Sequence, residues 1–232
     1  MLETNDLAIG YGDKILVSKI SLQIGAGETI LLCGSNGCGK STLLKTLAGH
    51  LRPLSGTLSY QKEDSPQIML VPTHIPRVSG FTVKEFILTA CNQETGLFGK
   101  PTKQLERCIH DSLELLQMGN YQDLDISHLS DGEFQKVTIA MGLARNADIL
   151  LLDEPSAFLD VDNRISVLQT IRNLAEETQK TFLFSSHDLN ESLKVCTRIW
   201  GITRQGEFMD TQNSCRQEDL LRACFKNYYS YL

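Results

Sequence analysis

Gly34-Ser35-Asn36-Gly37-Cys38-Gly39-Lys40-Ser41 is the stretch on which the reading of this chain turns. It fits the spacing G-x-x-x-x-G-K-[ST] and stands where that spacing has meaning: the nearly continuous apolar run Thr29–Cys33 precedes it, and a helical pattern runs from Lys40 to Gly49. Glycines allow the backbone to curl so that successive N–H groups point inward at phosphate oxygens. A helix starting at Lys40 adds the positive end of its dipole. Lys40 is then expected to reach the β- and γ-phosphates, and the Ser41 hydroxyl to ligate Mg²⁺.

Working outward, Leu2–Ile9 and Leu16–Ile24 read as short strands broken by Gly10-Tyr11-Gly12 and Gly25-Ala26-Gly27. Ser55–Tyr60 and Gln67–Val71 read as strands as well. After Pro72 the pattern changes, and Thr82–Cys91, Thr102–Met118 and Ser130–Arg145 all predict helices. Alternation then resumes with strand Ile149–Asp153, helix Val161–Glu177, strand Thr181–Ser185, helix Asp188–Val195 and strand Arg198–Ile202. That is the alternation of a mostly parallel α/β sheet, and the helical middle reads as an insertion into it. The expected division is one domain, with an α/β core from 1–73 and 146–232 and a helical subdomain at 74–145. Tyr228-Tyr229-Ser230-Tyr231 reads as a packing tail.

In an open parallel sheet, ligands lie at the carboxyl ends of strands. Ile149–Leu152 ends in Asp153-Glu154-Pro155, which places Asp153 to hold Mg²⁺ and Glu154 to orient and deprotonate an attacking water. Thr181–Ser185 leads to Ser186-His187-Asp188, where His187 could contact the γ-phosphate or the water. Asp188 with Glu191 also reads as a capping box.

Composition narrows the classes. With 232 residues, 41% of them hydrophobic and 22% charged, there is material for a large core. A net charge of -6 argues against a general nucleic-acid binder, which needs a basic face. The 7 cysteines form no Cys-x-x-Cys pair, and Met1–Gly10 lacks the pattern of a secretory signal, so free thiols in a cytosolic setting are expected. The longest apolar runs fall far short of the roughly 20 residues of a membrane span. Work at a membrane would therefore require a partner there.

Leu129-Ser130-Asp131-Gly132-Glu133 opens a helix running to Ala144-Arg145. Ser130-x-x-Glu133 is a capping box. Gly132 in the first turn is a poor choice for stability alone, since Gly costs about 1 kcal/mol relative to Ala, and is explained if a phosphate approaches the backbone closely. This segment resembles the LSGGQ-type signature of the ABC (ATP-binding cassette) ATPases. The phosphate loop, the signature, Asp153-Glu154 and His187 follow in that family's order, and Ser156-Ala157-Phe158-Leu159-Asp160 resembles its D-loop.

The resemblance implies an ABC ATPase fold with an N-terminal antiparallel β subdomain. It implies ATP held by Tyr11, stacked on adenine, and by Gly34, Ser35, Asn36, Gly37, Cys38, Gly39, Lys40, Ser41 and Thr42. It further implies a head-to-tail homodimer in which Ser130, Gly132 and Glu133 meet the partner's ATP in trans, with Asp160 in the D-loop near the partner. Cleavage of ATP would separate the subunits and supply a mechanical stroke. One position departs: the family carries a glutamine where the helical insertion begins, and here Leu70-Val71-Pro72 is followed by Thr73-His74. Thr73 offers one hydroxyl on a shorter stem toward Mg²⁺, and a water would bridge the gap.

Leu129-Ser130-Asp131-Gly132-Glu133 with Pro155–Asp160, and Leu47-Ala48-Gly49-His50-Leu51-Arg52-Pro53-Leu54-Ser55-Gly56, resemble the bacterial importers of iron chelates, haem and cobalamin. That implies integral-membrane permease subunits, docked near Pro76–Thr102, a substrate-binding protein, and a peripheral position on the inner face of the cell membrane. The alternative is a soluble ABC ATPase that remodels a protein complex, such as an iron–sulfur assembly factor.

Overall fold

In the computed structural model of the chain, residues 2–60, 67–91, 101–212 and 215–225 are described. Its centre is β3 (Thr29–Gly34), buried at every residue, beside β6 (Ile149–Leu152), β7 (Thr181–Ser185) and β8 (Arg198–Ile202), which are also buried throughout. Runs buried on both faces are what a parallel sheet between helical layers requires. With β5 (Ile68–Val71) and β9 (Phe208–Asp210) they form a six-stranded sheet in the order β5-β6-β7-β3-β8-β9. All neighbours are parallel except β8 and β9. The phosphate-loop strand β3 thus lies next to β7, and β7 next to β6, so three expected site loops emerge side by side.

A second sheet, antiparallel in the order β2-β1-β4, is built from β1 (Leu2–Tyr11), β2 (Lys14–Ile24) and β4 (Ser55–Tyr60). The β1–β2 turn is tighter than the glycines suggest. Gly10 pairs with Ile15 and Tyr11 with Lys14, leaving only Gly12-Asp13 as the turn. A side chain at Gly10 would collide with the Lys14 carbonyl, so that glycine serves strand pairing and not a break. Tyr11 is thereby fixed at a strand end.

The helices are α1 (Lys40–Leu47), α2 (Val83–Ala90), α3 (Lys103–Leu115), α4 (Asp131–Ala144), α5 (Val161–Thr178), α6 (Leu189–Val195) and α7 (Gln217–Cys224). The short elements β9 and α7 are absent from the sequence reading. Thr82 and Glu85 cap α2 reciprocally, and Ser130 and Glu133 cap α4 the same way. The box expected at Asp188 is only half made. Asp188 accepts the Glu191 N–H, but its own N–H donates to Ser186 Oγ, and the Glu191 carboxylate pairs with Lys194. One apolar cluster joins α2–α5 to the sheet. A second joins Leu43, Leu44 and Leu47 of α1 to both sheets. Among the described residues no helix is long and apolar enough to cross a membrane. The Tyr228–Tyr231 segment and residues 92–100 of the expected docking region lie outside the described residues.

Candidate functional site

The loop after β3 curls as its glycines permit. Gly34 (φ 150°) sits against Ile202 O and Cys38 Sγ, which lie 2.6 and 2.7 Å from where a Cβ would stand, and Gly39 (φ 117°) enters α1 in left-handed backbone. The Lys40 amine is folded into the curl, donating to Gly34 O at 2.9 Å and Ser35 O at 3.5 Å. No side chain caps the N-terminus of α1 and its first turn carries no acid. That is the polarity an anion needs at a helix start.

The Thr42 hydroxyl is 3.4 Å from the Tyr11 hydroxyl, setting the exposed Tyr11 ring at the mouth of a cleft of about 440 Å³. Tyr11, Asn36, Gly37, Gly39, Lys40, Ser41 and Thr42 line this cleft, and Glu154 and His187 close it from the far side. Leu16 also lines it, on β2 two residues beyond Lys14, the strand partner of Tyr11. Ser35 and Cys38 instead line a groove on the other flank of the loop, beside Arg204. Burial pushes the Cys38 thiol upward, and the nearby Lys40 charge only offsets this in part.

Glu154 has left-handed backbone (φ 54°), an uncommon state for a side chain of its size and one that gathers at functional sites. Its N–H donates to Ser185 Oγ at 2.9 Å, and the Ser185 hydroxyl donates to Asp153 Oδ1 at 2.8 Å. Ser185, read only as a strand end, is the link that orients both acids. His187 Nε2 lies 2.5 Å from Glu154 Oε1. Asp153 is buried, with Oδ1 accepting from Ser185, and it stands behind Glu154, not among the residues that line the cleft. Among the described residues no group of three or more metal-binding side chains occurs. One hydroxyl, Ser41, and one carboxylate, Asp153, fit Mg²⁺, which takes few protein oxygens and completes its shell with phosphate and water.

The remaining candidates lie elsewhere. Thr73 borders a groove of about 480 Å³ with Arg77, Asp131, Phe134 and Ala157–Leu159, and does not line the nucleotide cleft. At the tip of α4, Ser130 donates its N–H (2.8 Å) and hydroxyl (2.7 Å) to Glu133 Oε2. These bonds, with Tyr121, hold the Glu133 carboxyl below its usual range. Gly132 is buried, with Asn163 Oδ1 2.5 Å from where its Cβ would stand. A side chain at this position would push the Asn163 side chain aside, a packing reason for glycine that the sequence could not reveal. Asp160 caps α5, accepting from the backbone N–H and side-chain amide of Asn163 at 2.8 and 2.9 Å.

A glycine loop and helix start that share one cleft with an acid and a histidine define a nucleoside-triphosphate-binding protein of the P-loop class. Comparison with known proteins makes this specific. The family model described as ABC transporter matches residues 17–157. The chain is 34% identical over 202 residues to the iron(3+)-hydroxamate import ATP-binding protein FhuC of Bacillus subtilis, covering 83% of this chain and 75% of that one. To the petrobactin import ATP-binding protein FpuD of Bacillus anthracis it is 33% identical, covering 87% and 77%. Among solved structures, an inward-facing ABC transporter described as of metal-chelate type superposes with a TM-score of 0.85 at 26% identity, over 97% of this chain and 88% of that one. The chain belongs to the ABC transporter family, and its fold is that of the family's ATP-binding subunit.

Proposed function

We propose that this chain binds and hydrolyses ATP to drive import of an iron chelate through a membrane permease. The observation that carries the hydrolytic part is the 2.5 Å contact between His187 and Glu154, facing the cradle of Lys40 across one cleft. The α1 N–H groups and Lys40 bind the triphosphate, and the Tyr11 ring covers the base. Glu154, with its backbone fixed by Ser185, takes the proton of the attacking water, and His187 holds the Glu154 carboxylate at the γ-phosphate end. Mg²⁺ held by Ser41 and Asp153 would neutralise phosphate charge when bound. Ser130 and Gly132 of a second copy complete the site, and pairing and separation of the two copies move the permease.

The import reading rests on relatives named for hydroxamate and petrobactin import, and the chain would act peripherally at the cytoplasmic face beside a permease and a substrate-binding protein. None of the relatives compared supports the soluble remodelling factor. Glu154→Gln is expected to keep ATP binding while turnover falls on the order of 10²–10⁴-fold. Near-normal hydrolysis in that variant would remove Glu154 from the chemistry. Reconstitution with the cognate permease in vesicles should give ATP-dependent uptake of a ferric chelate, and uptake of no such compound would overturn the substrate class.

A further inference from the structure

The segment that leaves β5 is tied back to the tip of α4 by one side chain. Arg77 Nη1 donates to Leu129 O at 2.9 Å, and Nη2 to Asp131 Oδ1 at 2.5 Å. Its guanidinium carbon lies 4.4 Å from the Phe134 ring centre, and Phe134 packs on Phe86 of α2 with centroids 5.4 Å apart. Leu129 and Asp131 are the two neighbours of Ser130. A single planar cation thus holds the backbone carbonyl before that serine and the side-chain carboxylate after it, using the fork geometry that Lys lacks.

Charge adds a second reason. Asp131 occupies the first turn of α4 and its side chain is 64% exposed. A carboxylate there suits the helix dipole but opposes a triphosphate brought to the same N-terminus. The LSGGQ-type pattern has glycine at this position, so Asp131 brings a charge that this pattern lacks, and Arg77 stands against it. An ion pair this exposed contributes little to stability by itself, which directs attention to what it positions.

We propose that Arg77 is a positioning residue for ATP-driven pairing: it orients Ser130 and cancels the charge of Asp131, so that the tip of α4 can accept a triphosphate held by a second copy of this chain. The inference rests on the reading of the chain as an ATP-paired subunit.

The test uses full-length protein carrying Glu154→Gln, followed by light scattering as ATP is added. Adding Arg77→Ala should raise the ATP concentration for half-maximal pairing on the order of tenfold, as expected for losing a charged hydrogen-bond partner. ADP affinity of the single subunit, measured by calorimetry, should stay unchanged, since the cradle is on another element. Adding Asp131→Ala to that variant should recover part of the loss, because no uncompensated charge remains. Should Arg77→Ala fail to fold, Arg77→Lys carries the same test with a smaller rise of about threefold. An unchanged midpoint, an equal fall in ADP affinity, or no recovery with Asp131→Ala overturns the role of Arg77. A Glu154→Gln parent that stays single at saturating ATP is a separate failure, overturning the functional reading and this inference with it.

Discussion

Lys40 is buried to 6% exposure, its amine held by carbonyls of the loop it serves. A buried ammonium is tolerated only when paired or hydrogen-bonded, and here it is poised to exchange a carbonyl for a phosphate oxygen. Lys40→Ala should therefore lower ATP affinity on the order of tenfold to a hundredfold in calorimetry while leaving the far-ultraviolet spectrum unchanged. Affinity equal to that of the parent would mean that the cradle is not the phosphate site. At this scale the sequence was informative wherever spacing is local, as for Lys40, Ser41 and Glu154, which line one cleft. It was silent wherever a partner comes from far along the chain. Ser185 is 31 residues from Glu154, Arg77 is 54 from Asp131, and the Cys38 thiol is governed by burial that only the fold creates.

At the scale of elements, the two complete capping boxes offer a comparison that separates stability from function. Thr82 caps α2 and Ser130 caps α4 with the same pattern of bonds. Replacing either by Ala should cost about 1 kcal/mol in chemical denaturation. Only Ser130→Ala should also impair ATP-driven pairing, because only that hydroxyl is proposed to turn from Glu133 to the partner's phosphate. Equal pairing in both variants would reduce Ser130 to a cap.

The turn before α4 carries a separate pH signature. Asp125 accepts the N–H and hydroxyl of Ser127 and the N–H of Gly80, bonds that hold its carboxyl at about 2. Its folded value lies below the ordinary value near 3.9. Its contribution is thus complete above the unfolded value and is lost as pH falls through the folded one. The difference in melting temperature between the parent and Asp125→Asn should be constant above about pH 5 and close between about pH 4 and 2. A difference that widens on acidification would contradict this. Boxes and caps were legible because they are local, whereas β9, three residues long, exists through its pairing with β8, and α7 is an eight-residue helix with no side-chain cap.

Across the whole molecule, the nucleotide loop is coupled to the core through one helix. α1 begins at the cradle, and its Leu43, Leu44 and Leu47 are fully buried in the cluster that joins the antiparallel sheet to the six-stranded one. The same cluster contains Trp200, the single tryptophan, also fully buried, with Phe208 edge-on at 5.6 Å and Arg198 5.4 Å from its ring centre. Arg198 is in turn paired with Asp210 and Glu28, which ties β8 to β9 and to the turn before β3. Trp200 emission therefore reports loss of the packing on which the cradle rests. Ligand bound only by the folded state at a hundred times its dissociation constant adds about 2.7 kcal/mol of stability. For a chain of this size each kcal/mol moves the midpoint by roughly 2–4 °C, so ADP in that excess should raise the Trp200 melting temperature by about 5–10 °C. Lys40→Ala at the same ADP concentration should show most of that shift gone. A shift of full size in Lys40→Ala would place the ligand outside the cradle, and no shift in the parent would mean that loop and core unfold independently of each other.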